Sequence, residues 1–274
     1  MYIQHSFTGG VHTGVISLGL RTDFPHLSLM AGLGYDYLEL PLARIASLSE
    51  EQFREFLEYA DAIGLRAEVL YDMLPPDIRV NGSDVKAQRQ HQYLDTAFAR
   101  ARQLGAKVLI FDAFEARGVP PVFDFQMARR QTGNFLRILQ GHAAGMGMRI
   151  AIQSSRHARC NLINTVSEAS LIAALLQLSD VGVLADTVEM AHVSEPLSVI
   201  PRASGALAHV VTGNALRDAL PDEGDGEDYE KLFSVLAGMS YDGRVTAKSA
   251  QSFTTEAAQR ALYRLKQARS RAFR

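Results

Sequence analysis

Eight short runs of branched apolar residues recur along this chain, each followed by a longer amphipathic stretch, and that alternation constrains the fold more than any other feature. The runs are Val15–Leu20, Tyr35–Leu40, Leu65–Leu70, Lys107–Phe111, Met148–Gln153, Val181–Ala185, Leu207–Val211 and Gly243–Ala247. Near-continuous hydrophobicity suits parallel strands covered on both faces. The stretches between them carry helix signals. Ser49-Glu50-Glu51-Gln52 is a capping box ahead of FREFLEYADAIGL, with Gly64 at its far end, and Thr165-Val166-Ser167-Glu168 stands in the same way before SLIAALLQL. Longer helical patterns cover 84–105, 124–146 and 251–270. Gly34, Gly64, Gly105, Gly147 and Gly182 precede runs, as helix-to-strand turns require.

Eight strand–helix units in 274 residues predict a single (β/α)8 TIM barrel spanning 1–274, with no linker and no second domain. No GxGxxG follows the first run, which argues against an open dinucleotide-binding sheet. Lys and Arg number 28 against 30 Asp and Glu and are scattered, so neither a nucleic-acid face nor a membrane-surface helix is expected. No window approaches the roughly 20 apolar residues of a membrane span. The lone Cys160 excludes an internal disulfide and fits a reducing compartment. The opening MYIQHSFTGGVHTG lacks the charged-then-apolar build of a signal peptide, so a cytoplasmic location is expected. The acidic run Asp222–Glu230 is expected to be a solvated loop leading into a helix.

In such barrels chemistry sits where the strands end. The polar residues there are Glu39; Glu68 and Tyr71; Asp112 with Glu115 and Arg117; Gln153 with Arg156 beyond it; Asp186 and Glu189; His209, with Asn214 and Arg217; and Lys248. Each has a purely structural alternative, as a helix cap, an ion-pair partner or, for His209, a hydrogen-bonded core residue. Lone carboxylates are rarely buried without a partner, which favours a role for Glu39 and Glu68. His5, His26, His91, His142 and His192 fit the surface or local packing, and His12 has no assignment.

Several long segments resemble the xylose-isomerase-like barrels, in particular the sugar phosphate isomerase/epimerase group. They are GYDYLELPLARIASLSEEQF, LRAEVLYDMLPPDIRVNG, EARGVP, CNLINTV, LADTVEMAHVSEPLSVI and GDGEDYEKLFSVLAGMSYDGRV. The resemblance implies a divalent metal, Mn2+ or Mg2+, held by Glu, Asp, His and Glu from strands five to eight, with the two glutamates moving a proton. Carried onto this chain, those positions hold Gln153, Asp186, Val211 and Lys248, and the histidine that follows the strand-six aspartate is Glu189. Three of the four ligands are replaced, so no metal and no other cofactor is expected.

Two functional readings stay open. In the first, a small sugar-like polyhydroxy carbonyl compound is bound or transformed without metal. Lys248, Glu189, Asp186 and Glu68 are then the catalytic candidates, and Glu39, Asp112, Arg117, Gln153, Arg156, His209 and Arg217 the substrate-binding ones. In that reading Lys248 stabilises an oxyanion or forms a Schiff base, and Glu189 or Glu68 acts as base. In the second, Lys248 merely replaces the metal as the cation beside Asp186. The chain is then a catalytically inactive barrel, a pseudoenzyme that binds a ligand or a subunit that supports an active partner, self-associated or joined to a related subunit. A nuclease of the endonuclease-four type is disfavoured, since its His and Glu cluster is missing.

Overall fold

A computed structural model describes residues 15–24 and 27–273. Eight strands, β1 (Ser17–Arg21), β2 (Tyr37–Pro41), β3 (Val69–Tyr71), β4 (Val108–Phe111), β5 (Arg149–Gln153), β6 (Val181–Asp186), β7 (Leu207–Thr212) and β8 (Arg244–Ala247), form a closed barrel in sequence order. Every neighbouring pair is parallel, and β1 closes on β8 with Leu20 opposite Ala247. The expected (β/α)8 TIM barrel is therefore the observed architecture.

Helices wrap the outside. After β1 comes α1 (Leu27–Ala31), and after β2 come α2 (Leu42–Ser47) and α3 (Glu50–Ala62). α4 (Ala87–Gln103) follows β3, and α5 (Phe114–Arg117) and α6 (Phe125–Ala143) follow β4. α7 (Val166–Leu176) follows β5, while α8 (Thr187–His192) and a 3-10 turn (Leu197–Ala203) follow β6. α9 (Tyr229–Gly238) and α10 (Thr255–Ala272) complete the ring. Among the described residues no helix is long and apolar enough to cross a membrane.

The predicted caps form. The Ser49 side chain accepts from Gln52 N while the Gln52 side chain accepts from Ser49 N, closing the box over α3. At α7, Thr165 accepts from Glu168 N, but Glu168 Oε2 accepts from Asn164 N rather than from the cap residue, so the second half of that box is displaced by one position. Gly34, Gly64, Gly105 and Gly147 hold positive φ in their turns. Gly182 differs from expectation. It lies within β6, where a Cβ would come within 2.2 Å of the Ala206 carbonyl oxygen.

Two cores result. The larger lies between the outward faces of the strands and the helices. The smaller fills the barrel with Tyr37, Val69, Val108, Ile110, Ala151, Leu184 and Val211. Gly19 exists to admit Tyr37, since a Cβ there would lie 2.2 Å from the ring. The Tyr37 hydroxyl in turn bonds Thr246 Oγ1 at 2.8 Å. This apolar plug fills the barrel beneath the polar side chains of the upper strand ends.

Two strand boundaries moved relative to the sequence pattern, and both matter for the site. β1 runs one residue further than expected, which brings Arg21 into the barrel. β3 is only three residues long and begins at Val69, so Glu68 stands before the strand rather than along it.

Candidate active site at the upper mouth of the barrel

The deepest polar layer joins four strands. Arg21 from β1 reaches Glu39 from β2, with Nε and Nη2 each 2.5 Å from Oε1. His209 from β7 bonds Glu39 Oε2 at 3.1 Å through Nε2, and Thr246 from β8 lies 3.1 Å from the same nitrogen. Burial alone would raise the Glu39 carboxyl, but Arg21 and His209 hold it down at about 2. Burial lowers the His209 imidazole below its ordinary value despite Glu39, so the ring is neutral and donates from Nε2. Burial also works against charge on Arg21, and Glu39, Asp186 and Asp112 outweigh it. The Arg21 guanidinium lies 4.6 Å from the centre of the Tyr71 ring, which fixes its plane.

Above this layer Asp186 collects donors at the end of β6. Lys248 Nζ lies 2.5 Å from Oδ2, and Gln153 Nε2 bonds the same oxygen at 2.7 Å. Oδ1 caps α8, accepting from Val188 N at 3.1 Å and Glu189 N at 3.3 Å. Val211 stands beside Asp186 on β7, in register with it. Among the described residues no three His, Cys, Asp or Glu side chains are grouped as metal ligands.

The rim is a second ion-pair cluster. Glu189 is buried and accepts from Arg156 N at 2.9 Å, from Ser155 Oγ at 3.4 Å and from Arg159 Nη1 at 3.3 Å. The Arg156 guanidinium bridges Glu189, at 3.6 Å, and Asp218, at 3.3 Å. Arg21, Tyr71, Arg156, Arg159, Glu189, Asp218 and Lys248 then enclose a cavity of about 480 Å3 together with the loop Ser249–Phe253. That volume suits a ligand of sugar size.

Residues 27–267 match the family described as the xylose isomerase-like TIM barrel. The chain belongs to that family. Solved structures agree on the fold. A 3-keto-D-glucoside 4-epimerase from E. coli shares 18% identity at a TM-score of 0.74, covering 92% of this chain and 99% of its own. A D-psicose 3-epimerase from Clostridium cellulolyticum H10, solved with D-tagatose, shares 16% at 0.80, covering 93% and 99%. An AP endonuclease of family 2 from Brucella melitensis shares 20% at 0.75, covering 92% and 99%.

Within this xylose isomerase-like barrel the expected site residues separate into two groups. Lys248, Glu189 and Arg156 line the upper mouth, and Asp186, Gln153, Glu39 and His209 form the buried layers directly beneath it. Glu68, Asp112, Arg117 and Arg217 do not join them. Glu68 lies below β3 and pairs with Arg244, whose Nε is 2.7 Å from Oε2, at the opposite end of the barrel. The short strand is the reason: a catalytic role at the mouth requires a side chain after β3, and Glu68 comes before it. Asp112 accepts from the backbone N–H groups of Asp72, Met73 and Ala113 at 2.7–3.0 Å, so it clamps the loop after β3 rather than facing a ligand. Arg117 is fully buried against Phe111 and Phe114, bonds the Phe111 carbonyl at 3.1 Å and does not line the cavity. Arg217 is exposed and also lies outside the lining. His5, His12 and His26 fall outside the described residues.

Sequence reasoning missed Arg21, Arg159 and Asp218. Arg21 had a signal: a cation set directly after GVISLGL is where an apolar strand ends. Asp218 and Arg159 had none, because they sit in loops whose course only the fold determines. The acidic run is more structured than expected. Asp225 accepts from Asp222 N, Glu227 N and the Tyr229 hydroxyl, stapling the loop that precedes α9. A second hollow of about 470 Å3, largely apolar, lies outside the barrel between α6 and α7 and touches no strand end.

Proposed function

We propose that this barrel binds a small polyhydroxy carbonyl compound in the mouth cavity and acts on it without a divalent metal ion, with the Lys248 ammonium in the cation's place. The observation that carries the reading is the contact of Lys248, which lines the cavity, with the buried Asp186 beneath it, Nζ lying 2.5 Å from Oδ2. The donor set does not fit a metal. Asp186 is the one carboxylate in it, Gln153 is a neutral donor already turned towards Asp186, Val211 offers nothing, and Lys248 would repel a cation. An ammonium has three N–H donors, and one is given to Asp186. The others can reach a carbonyl oxygen and stabilise negative charge developing on it. Hydrogen bonding to a buried carboxylate makes Lys248 a donor rather than a nucleophile, which favours this role over a Schiff base. The sugar epimerases of the same fold lend the substrate class.

Elemental analysis of the purified protein, combined with calorimetric titration of ketoses into wild type and Lys248→Met, tests the proposal. The expected result is no stoichiometric divalent metal and ketose binding that weakens in the variant. A stoichiometric metal lost on Asp186→Asn would overturn it, and a borohydride-trapped adduct on Lys248 would replace the oxyanion role with a Schiff base.

A second reading, binding without turnover, has its own supporting observation. The carboxylates around the mouth are held in ion pairs: Glu189 by Arg156 and Arg159, Asp218 by Arg156 and Asp23 by Arg44, with Glu39 paired below and Glu68 at the far end. Solvent deuterium entering a bound ketose, followed by NMR, decides between turnover and binding alone.

A further inference from the structure

Two cations stand side by side at the bottom of the mouth cavity. β1 and β8 pair with Leu20 opposite Ala247, so the next residues on each strand, Arg21 and Lys248, are neighbours. Both lie two residues beyond an inward pair, Gly19 and Thr246, and so on the same face, and both line the cavity. Each is anchored from beneath by a carboxylate with no exposed surface, Glu39 for Arg21 and Asp186 for Lys248. Neither is saturated. Arg21 Nη2 lies 2.5 Å from Glu39 Oε1 but makes no aligned hydrogen bond, and Nη1 has no partner among the described residues. Lys248 bonds through Nζ to Asp186 alone among the described side chains.

This arrangement separates charge by depth. The two negative groups are sealed in the barrel, and the two positive groups face the cavity. A ligand entering from solvent meets the cations, whose spare N–H donors point where the anions cannot compete. A neutral sugar hydroxyl could satisfy them only in part, whereas an oxyanion satisfies both at once. On the rim, Glu189 and Asp218 engage Arg156 and Arg159, and the lining carboxylate Asp23 is paired with Arg44, so the two cations of the floor are the ones with donors to spare.

We propose that the ligand of this site carries an oxyanion, a carboxylate or a phosphate ester, bound between Arg21 and Lys248, so that the substrate class is an acidic sugar derivative rather than a neutral ketose. The inference rests on the mouth cavity being a sugar site. The carboxylate arm differs from the phosphate arm in reach. A carboxylate attached to the carbon chain places the first carbons against Lys248, whereas a phosphate ester places them one bond further out, towards the loop Ser249–Phe253.

The test is calorimetric titration of the full chain with D-gluconate, D-fructose 6-phosphate and D-fructose at low and high salt. The acidic ligands should bind at least about tenfold more tightly than fructose, the difference one charge-assisted hydrogen bond makes. That preference should shrink on raising the salt. Lys248→Met should abolish it. Because removing one cation leaves a buried carboxylate, the neutral pairs Arg21→Met with Glu39→Gln, and Lys248→Met with Asp186→Asn, serve as the folded controls and should lose the preference as well. Gluconate alone binding tightly identifies a carboxylate, and fructose 6-phosphate alone identifies a phosphate. Equal binding of fructose and the acids would overturn the oxyanion inference and leave the sugar site standing. No binding of any of the three would overturn both.

Discussion

Lys248→Met isolates the ion pair on which the site is built. The substitution keeps the length and apolar stem of the side chain and removes the charge. Asp186 then remains in the barrel with no exposed surface and no cation. Breaking a buried pair in this way costs about 3–5 kcal/mol. The lower end applies here, because Gln153 Nε2 and the N–H groups of Val188 and Glu189 still serve the carboxylate. A loss of about 3 kcal/mol corresponds to a fall in melting temperature of roughly 6 °C for a domain of this size. Adding Asp186→Asn should return most of it. An asparagine Oδ1 can still cap α8, and its amide can donate to Gln153 Oε1, which has no partner among the described residues, once the Gln153 amide turns over. The double variant should therefore sit within about 1 kcal/mol of wild type, so the coupling is about 2 kcal/mol plus whatever Asp186→Asn costs alone. Urea unfolding of the four proteins at neutral pH measures this. A single variant as stable as wild type, or a double variant no better than the single, would refute the claim that the pair is buried and mutually dependent.

Acid should unfold the protein in two stages. His209 is held below its ordinary value, so below about pH 6.5 the unfolded chain takes a proton that the native state refuses, and stability starts to fall. Glu39 is held at about 2 against 4.5, which at roughly 1.4 kcal/mol per tenfold change in proton affinity is about 3 kcal/mol, present above pH 4.5 and lost as pH falls towards 2. Unfolding free energy measured against pH should show both slopes, with Glu39→Gln flattening the lower one. Arg117→Met should leave stability unchanged or raise it, since Nε and Nη2 are buried without a partner among the described residues and an apolar side chain of similar size removes that cost. Denaturant midpoints decide this, and a loss above about 2 kcal/mol would mean the Phe111 and Phe114 stacking outweighs the unpaired donors.

The barrel was legible because its signals repeat. Eight apolar runs, the capping box at Ser49, the side-chain cap at Thr165 and glycines in left-handed turns all agree, and each is local to a few residues. The site was legible only where a strand end carries its own polar residue, as with Asp186, Gln153 and Lys248. Glu68 was misplaced because Leu65–Leu70 is apolar enough to read as a strand, while the hydrogen-bonded segment starts four residues later. Arg117 and Asp112 carry the right chemistry at the right height, but one turns into the helix layer and the other onto a loop backbone. Which way a loop residue turns depends on contacts distant in the chain, and no periodicity records them. The Glu189–Arg156–Asp218 cluster illustrates this, since it joins the loops after three strands.

The β1–β8 seam has a consequence for how the protein comes into being. The first strand supplies Arg21 and the last brings Lys248, so the floor of the cavity does not exist until the ring shuts. A growing chain lacking β8 would display Arg21 and Glu39 without their neighbour and could not hold a ligand between the two cations. Ligand affinity thus reports on ring closure, and a bound ligand would act as a clasp across the joint between the earliest and the latest strands.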